Sequence, residues 1–175
     1  MPRALEYRFD KNNYFIQLGI DQPIVPKRIR QKADMLGYLP KPETHISVVV
    51  TSNSKALMEH VYANEDANTL ANEILTLFNS FPWEYELLDI YLLQERQYRE
   101  THDRPAHIRR TIIQMVTLPD LPMFYERIVA LSGANLTLPV PHVTLFSWSD
   151  YEPMMVQGIG LSSSEDLLAN TRGEI

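Results

Sequence analysis

The feature that most constrains this chain is an internal repeat. Residues 14 to 51, laid without a gap on residues 111 to 148, coincide at seven places: Ile16 with Ile113, Gln17 with Gln114, Arg30 with Arg127, Ala33 with Ala130, Leu39 with Leu136, Pro42 with Pro139 and His45 with His142. Average composition gives about two or three coincidences over such a length. Conservative pairs add Leu18 with Met115, Ile46 with Val143, Ser47 with Thr144 and Val48 with Leu145. Each copy reads strand, helix, strand. A chain built this way is expected to set two lobes about a rough two-fold axis, so that any chemistry carried by one half is duplicated in the other.

Alternation and breaker residues supply the elements. LEYRF alternates Leu5, Tyr7 and Phe9 against charges, DKNN offers a turn and YFIQLGI resumes an extended run, which together read as a β-hairpin. A helix is expected after Pro26, ending near Gly37, before the strand THISVVVT. SKALMEHVYA and ANTLANEILTLFNS have helical spacing, with Pro82 stopping the second. WEYELLDIYLLQERQY and HIRRTIIQMVTL read as strands joined by the polar loop ETHDRPAH. LPMFYERIVALSG reads as a helix closed by Gly133, and PHVTLFSW as a strand. The C-terminal segment is expected to give one more strand over GIGL, then a short helix or a frayed tail. With 175 residues, 45% of them apolar, and neither low-complexity segment nor linker, the chain fits a single domain over residues 1–175 of α+β class.

Composition narrows the function. A net charge of −6 disfavours a protein that grips long nucleic acid through a general phosphate footprint, which needs a dominant positive field. A small nucleotide or an RNA end is compatible. The absence of cysteine excludes disulfides and thiolate metal sites. No run approaches the roughly 18 apolar residues of a membrane span, and MPRALEYRFDKNN lacks the apolar core of a secretory signal. A cytoplasmic protein with no membrane partner is expected, with a monomer as the default.

The repeat carries its chemistry in the triplets His45-Ile46-Ser47 and His142-Val143-Thr144. Successive strand residues face opposite ways, so each histidine shares a face with the hydroxyl two residues on. If the halves pack about their axis, two imidazoles flank one hollow. That is what an in-line displacement at phosphorus needs: one imidazole takes a proton from the attacking oxygen and the other gives one to the departing oxygen. Ser47 and Thr144 would donate hydrogen bonds to the non-bridging oxygens. Neither metal nor cofactor is required.

The two H-x-[ST] triplets resemble the signature of the 2H phosphoesterase superfamily, which includes LigT-type 2′-5′ RNA ligases, 2′,3′-cyclic phosphodiesterases and phage enzymes that open cyclic oligonucleotide signals. The resemblance spans about residues 14 to 148 and the following GIGL segment. It implies a bilobal LigT-like fold with antiparallel sheets around a central cleft. It also implies catalysis by His45 and His142, with Ser47 and Thr144 on the phosphate, acting on 2′,3′-cyclic phosphates or 2′-5′ bonds. The alternatives are a non-catalytic nucleotide or RNA-end binding module, and a phage-type hydrolase of cyclic oligonucleotides.

Further candidates surround the triplets. Gln17 and Gln114 are polar residues inside apolar strands, a costly placement unless they bond to the motif strands or to a ligand. Tyr14 and Trp148 flank the same strands and are candidates to stack on a base. Arg96, Arg99, Arg104, Arg109 and Arg110 form the most basic stretch, and with Lys27, Arg28, Arg30 and Lys32 they are candidates to steer an anion. Of these, Arg109 is the candidate substrate contact. His60 is expected to face solvent, and His102 and His107 have no zinc-motif spacing.

Overall fold

The hydrophobic alternation of the N-terminal segment closes into an antiparallel hairpin of β1 (Glu6–Asp10) and β2 (Phe15–Gly19). In this computed structural model residues 2–3, 6–62 and 67–175 are described; Leu5 lies outside them, as does the side chain of Tyr7. Asp10 shapes the turn by accepting the Asn12 amide at 2.9 Å. Helix α1 (Lys27–Leu36) starts after Pro26 and stops at Gly37, whose φ of +70° is cheap for glycine alone. Then come β3 (Leu39–Pro40), β4 (His45–Val49), α2 (Thr51–Tyr62), α3 (Ala67–Asn79), β5 (Glu86–Tyr98), β6 (His107–Thr117), α4 (Leu121–Ser132) and β7 (His142–Ser149).

The C-terminal segment departs from expectation. GIGL forms no strand. Ile159 and Leu161 instead lie across the sheet and pack on Ile113, so their backbone cannot also join the ladder. Helix α5 (Ser164–Asn170) follows, capped by the Ser163 hydroxyl, and the last residues form an edge strand β8 (Thr171–Glu174) on β5.

The eight strands among the described residues make one antiparallel sheet in the order β1-β2-β4-β7-β6-β5-β8, with β3 also on β7. The fold is therefore α+β. The inner four strands, β2-β4-β7-β6, are arranged as the repeat requires, each half contributing an outer and an inner strand. Strands β4 and β7 meet through Ile46 and Val143, which are partners in the repeat. An antiparallel pairing in which a residue meets its own counterpart has a two-fold axis passing through it.

The irregularities repeat as well. Ile16 pairs Val49 and Gln17 pairs Ser47, which leaves Val48 as an extra residue; Ile112 pairs Phe146 and Ile113 pairs Thr144, which leaves Leu145 extra. Val48 and Leu145 are repeat partners, so each half carries a bulge directly after its motif hydroxyl.

These registers also correct the ungapped match. Gln17 faces Ser47 but Ile113 faces Thr144, so the structural counterpart of Gln17 is Ile113 and not Gln114. The helices agree with a slipped alignment: Ala33 is fully buried whereas Ala130 is exposed, and the αL caps Gly37 and Gly133 do not coincide at the offset of the histidines.

Helices α1 to α4 cover one face of the sheet. Their apolar stripes, including Ile29, Leu57, Ile74, Phe78, Phe124 and Ile128, close on Ile16, Leu18, Ile46, Val48, Ile112 and Val143. Buried apolar area of this kind is the main source of stability. The opposite face of the inner strands carries the polar residues. At one end it is covered by residues 152–170, and the remainder lies open.

Candidate active site

Strand alternation puts Ile46 and Val48 in the core and leaves His45 and Ser47 on the open face. The same holds for Val143 against His142 and Thr144. All four polar residues line one pocket of about 620 Å³. The register through Ile46 and Val143 sets position 45 opposite 144 and 47 opposite 142, so the two histidines are diagonal cross-strand neighbours. Such neighbours lie about 7–8 Å apart at the backbone.

The two imidazoles are held differently. His142 Nδ1 donates to the Val140 carbonyl at 2.8 Å, an arrangement that fixes the ring. His142 is 7% exposed, and burial lowers its pKa while the carbonyls of Val140 and Ile159 favour its protonated form. His45 receives the Gln17 amide: Gln17 Nε2 lies 2.9 Å from His45 Nε2, and since an amide nitrogen only donates, the ring proton is on Nδ1. That Nδ1 is buried without a hydrogen-bond partner. Burial first, then the Lys41 ammonium, depresses the His45 pKa from 6.5 to about 4, with His142 and Arg8 acting in the same sense and Glu43 against.

The pocket is cationic in an acidic chain. Lys41, Lys55, Arg96, Arg99, Arg104 and Arg109 line it, and no carboxylate among the described residues does. Although the chain has 22 acidic and 16 basic side chains, no acid among the described residues reaches this hollow, which is the electrostatics an anionic ligand requires. Among the described residues no group of three or more His, Asp or Glu is placed to hold a metal ion.

Sequence reasoning located part of this site. His45, His142, Ser47, Thr144, Gln17 and Arg109 do converge on the pocket. Three other candidates do not. Gln114 lies on the helix-covered face, where it donates to the Leu88 carbonyl at 2.9 Å and serves the irregular stretch of β5 between Leu87 and Tyr91. Trp148 is turned to that face by the bulge at Leu145, and there it takes Arg110 over its ring at 4.9 Å. Tyr14, with φ of +49°, turns inward and is 4% exposed in the core, edge-on to Phe9. Phe15 lines the pocket instead.

Of the remaining candidates, Arg96, Arg99 and Arg104 line the pocket, and the others fall outside it or change role. The basic residues of α1 do not line it; Arg28 sits over the Tyr91 ring and pairs with Asp89. His60 does not face solvent freely: its ring lies against Gly133, where an added Cβ would stand 3.1 Å from Nε2. His107 is buried, with Nδ1 donating to the Pro105 carbonyl and Nε2 accepting from Arg109 Nε.

Lys41, Tyr98 and Gly158 also line the pocket and escaped notice in the sequence. Lys41 stands four residues before the first histidine, a proximity that could have flagged it. Gly158 is legible only in three dimensions: a Cβ there would be 3.1 Å from Thr144 Oγ1, so the bare backbone is what lets the segment cross the motif hydroxyl. No helix among the described residues is long and apolar enough to cross a membrane. No family model, curated protein or solved structure matches the chain.

Proposed function

We propose that the protein is a metal-independent phosphoesterase of the 2H type, with a bilobal LigT-like organisation, that hydrolyses or reversibly forms 2′,3′-cyclic phosphate or 2′-5′ phosphodiester bonds in small nucleotides or RNA ends. The observation that carries the reading is the convergence of His45 with Ser47 and His142 with Thr144 on one cationic pocket, across a pairing of repeat counterparts. A substrate phosphate between the imidazoles would meet a hydroxyl from each strand, which stabilises charge building on the non-bridging oxygens. The asymmetry of the histidines suggests their roles. His45, kept neutral by burial and Lys41, accepts the proton of the attacking water or ribose hydroxyl at Nε2, where the attacking oxygen takes the place of the Gln17 amide. His142, whose imidazolium the Val140 and Ile159 carbonyls favour, protonates the leaving oxygen. A bound phosphate supplies the negative charge that lifts the His142 pKa toward neutrality.

The test is product formation from a panel of 2′,3′-cyclic mononucleotides, 2′-5′ oligoadenylates and cyclic dinucleotides in EDTA. Turnover of at least one is expected, with His45→Ala and His142→Ala each losing about 10²- to 10⁴-fold while retaining the native circular dichroism. Near-native turnover by either variant on the substrate found would sink the assignment.

A further inference from the structure

The hairpin of β5 and β6 brings a second group of charges to the same pocket. Arg109 stands opposite Ser149, four residues before Ile113, which is the partner of Thr144. Its backbone is therefore about 13 Å along the strand from the motif hydroxyl. The guanidinium is buried, only 8% of the residue being exposed. Its Nε donates to His107 Nε2 at 3.2 Å, Nη1 donates to the Gly158 carbonyl at 3.3 Å, Nη2 lies 3.2 Å from Met154 Sδ, and its plane covers the Tyr98 ring at 4.2 Å. Tyr98 is in turn stacked on His107 at 5.0 Å.

None of these partners carries a negative charge. Beside Tyr98, the ionisable groups that act on Arg109 are Arg104 and Arg96, both cations, and of the three only Arg96 is neutralised, by Asp166. Arg99 and Arg104 form no ion pair among the described residues, and Glu100 and Asp103 of the same turn do not line the pocket. A buried guanidinium held rigidly in a fork without its anion is a costly arrangement that a ligand would relieve.

Gly158 links this group to the histidine pair. Its carbonyl takes Arg109, and a Cβ on its Cα would touch Thr144 Oγ1. Guanidinium and hydroxyl thus both approach Gly158, one at its carbonyl and the other at its Cα, while their backbones are about 13 Å apart along the sheet, which gives room for neighbouring phosphates.

We propose that Arg109, with Arg104 and Arg99, forms a second phosphate subsite, so that the ligand is a nucleotide bearing two phosphates one nucleoside apart. The inference rests on the phosphoesterase reading for the position of the first phosphate. Its test reads affinity and needs no turnover. Calorimetric binding at low salt would compare adenosine 3′-monophosphate with adenosine 3′,5′-bisphosphate and with a diadenosine dinucleotide ending in a 3′-phosphate.

Wild-type protein is expected to bind at least one of the doubly phosphorylated ligands about tenfold more tightly than the monophosphate. Arg109→Met, and independently the exposed pair Arg99→Ala with Arg104→Ala, should bring that gain below about threefold. A gain confined to the bisphosphate identifies a terminal phosphate as the second anion; one confined to the dinucleotide identifies an internucleotide phosphate. A gain below about threefold for both ligands in wild type overturns the proposal, as does a larger gain that survives in the double variant. Should Arg109→Met fail to fold, the double variant still decides. Absence of turnover on every phosphoester would defeat the catalytic reading and leave this affinity difference standing.

Discussion

Replacing His45 by glutamine should remove part of the acid sensitivity of the fold. In the native state burial and Lys41 hold the His45 pKa at about 4, whereas in the unfolded chain it returns to 6.5. Between those values the unfolded chain binds a proton that the folded chain refuses, so stability rises with pH through this window. The contribution is complete above pH 6.5 and is lost progressively as pH falls toward 4. From pH 7.5 to pH 5 the loss attributable to His45 is about 2 kcal/mol. His142 is displaced in the same direction and adds to the total in wild type and variant alike.

Urea denaturation followed by fluorescence of buried Trp83, at several pH values and constant ionic strength, measures the effect. The wild type should lose about 2 kcal/mol more than His45→Gln between the two pH values, with unchanged m-values. Lys41→Met should recover a fraction of that difference, because the ammonium is the second cause of the depression. Curves for wild type and His45→Gln that run parallel within about 0.5 kcal/mol would refute the placement of His45 in a desolvated, cationic setting.

Other outcomes follow from the same geometry. Because both histidines are shifted downward, the pH maximum of kcat/KM should lie below 6.5 while that of kcat, measured with phosphate bound, lies higher; a kcat/KM maximum above pH 7.5 would contradict it. Gly158→Ala should lower turnover, because the added Cβ would stand 3.1 Å from Thr144 Oγ1 and push the hydroxyl aside, with little change in melting temperature; unchanged kcat would show that the hydroxyl is not used. Gln17→Leu should alter the pH profile of turnover by freeing His45 Nε2, whereas Gln114→Leu should cost about 1 kcal/mol of stability through the orphaned Leu88 carbonyl and leave the profile alone; matching profiles in the two variants would refute the register.

Sequence alone determined what depends on near neighbours. The turn after Asp10, the stop of α1 at Gly37 and of α4 at Gly133, and the pairing of each histidine with a hydroxyl two residues on are all written locally, because backbone preference and strand alternation act over a few residues. The repeat further announced that two such pairs would be related. Tertiary structure decided which face each side chain met. The bulges at Val48 and Leu145 advance one strand by a residue against its neighbour, and a shift of one residue moves every later side chain across the sheet. That is why Trp148 turned from the pocket although it lay in an expected strand. Ile113 stands where the ungapped repeat put Gln114 for another reason: the connection from outer strand to histidine is one residue longer in the second half, which leaves Gln114 on the helix-covered face. The cationic lining was legible only in part: the arginine-rich stretch stood out in the sequence, whereas its union with Lys41 and Lys55 did not. It is assembled from the loop before β4, the start of α2 and the β5–β6 hairpin, and only folding brings those charges to one hollow while keeping the more numerous carboxylates away.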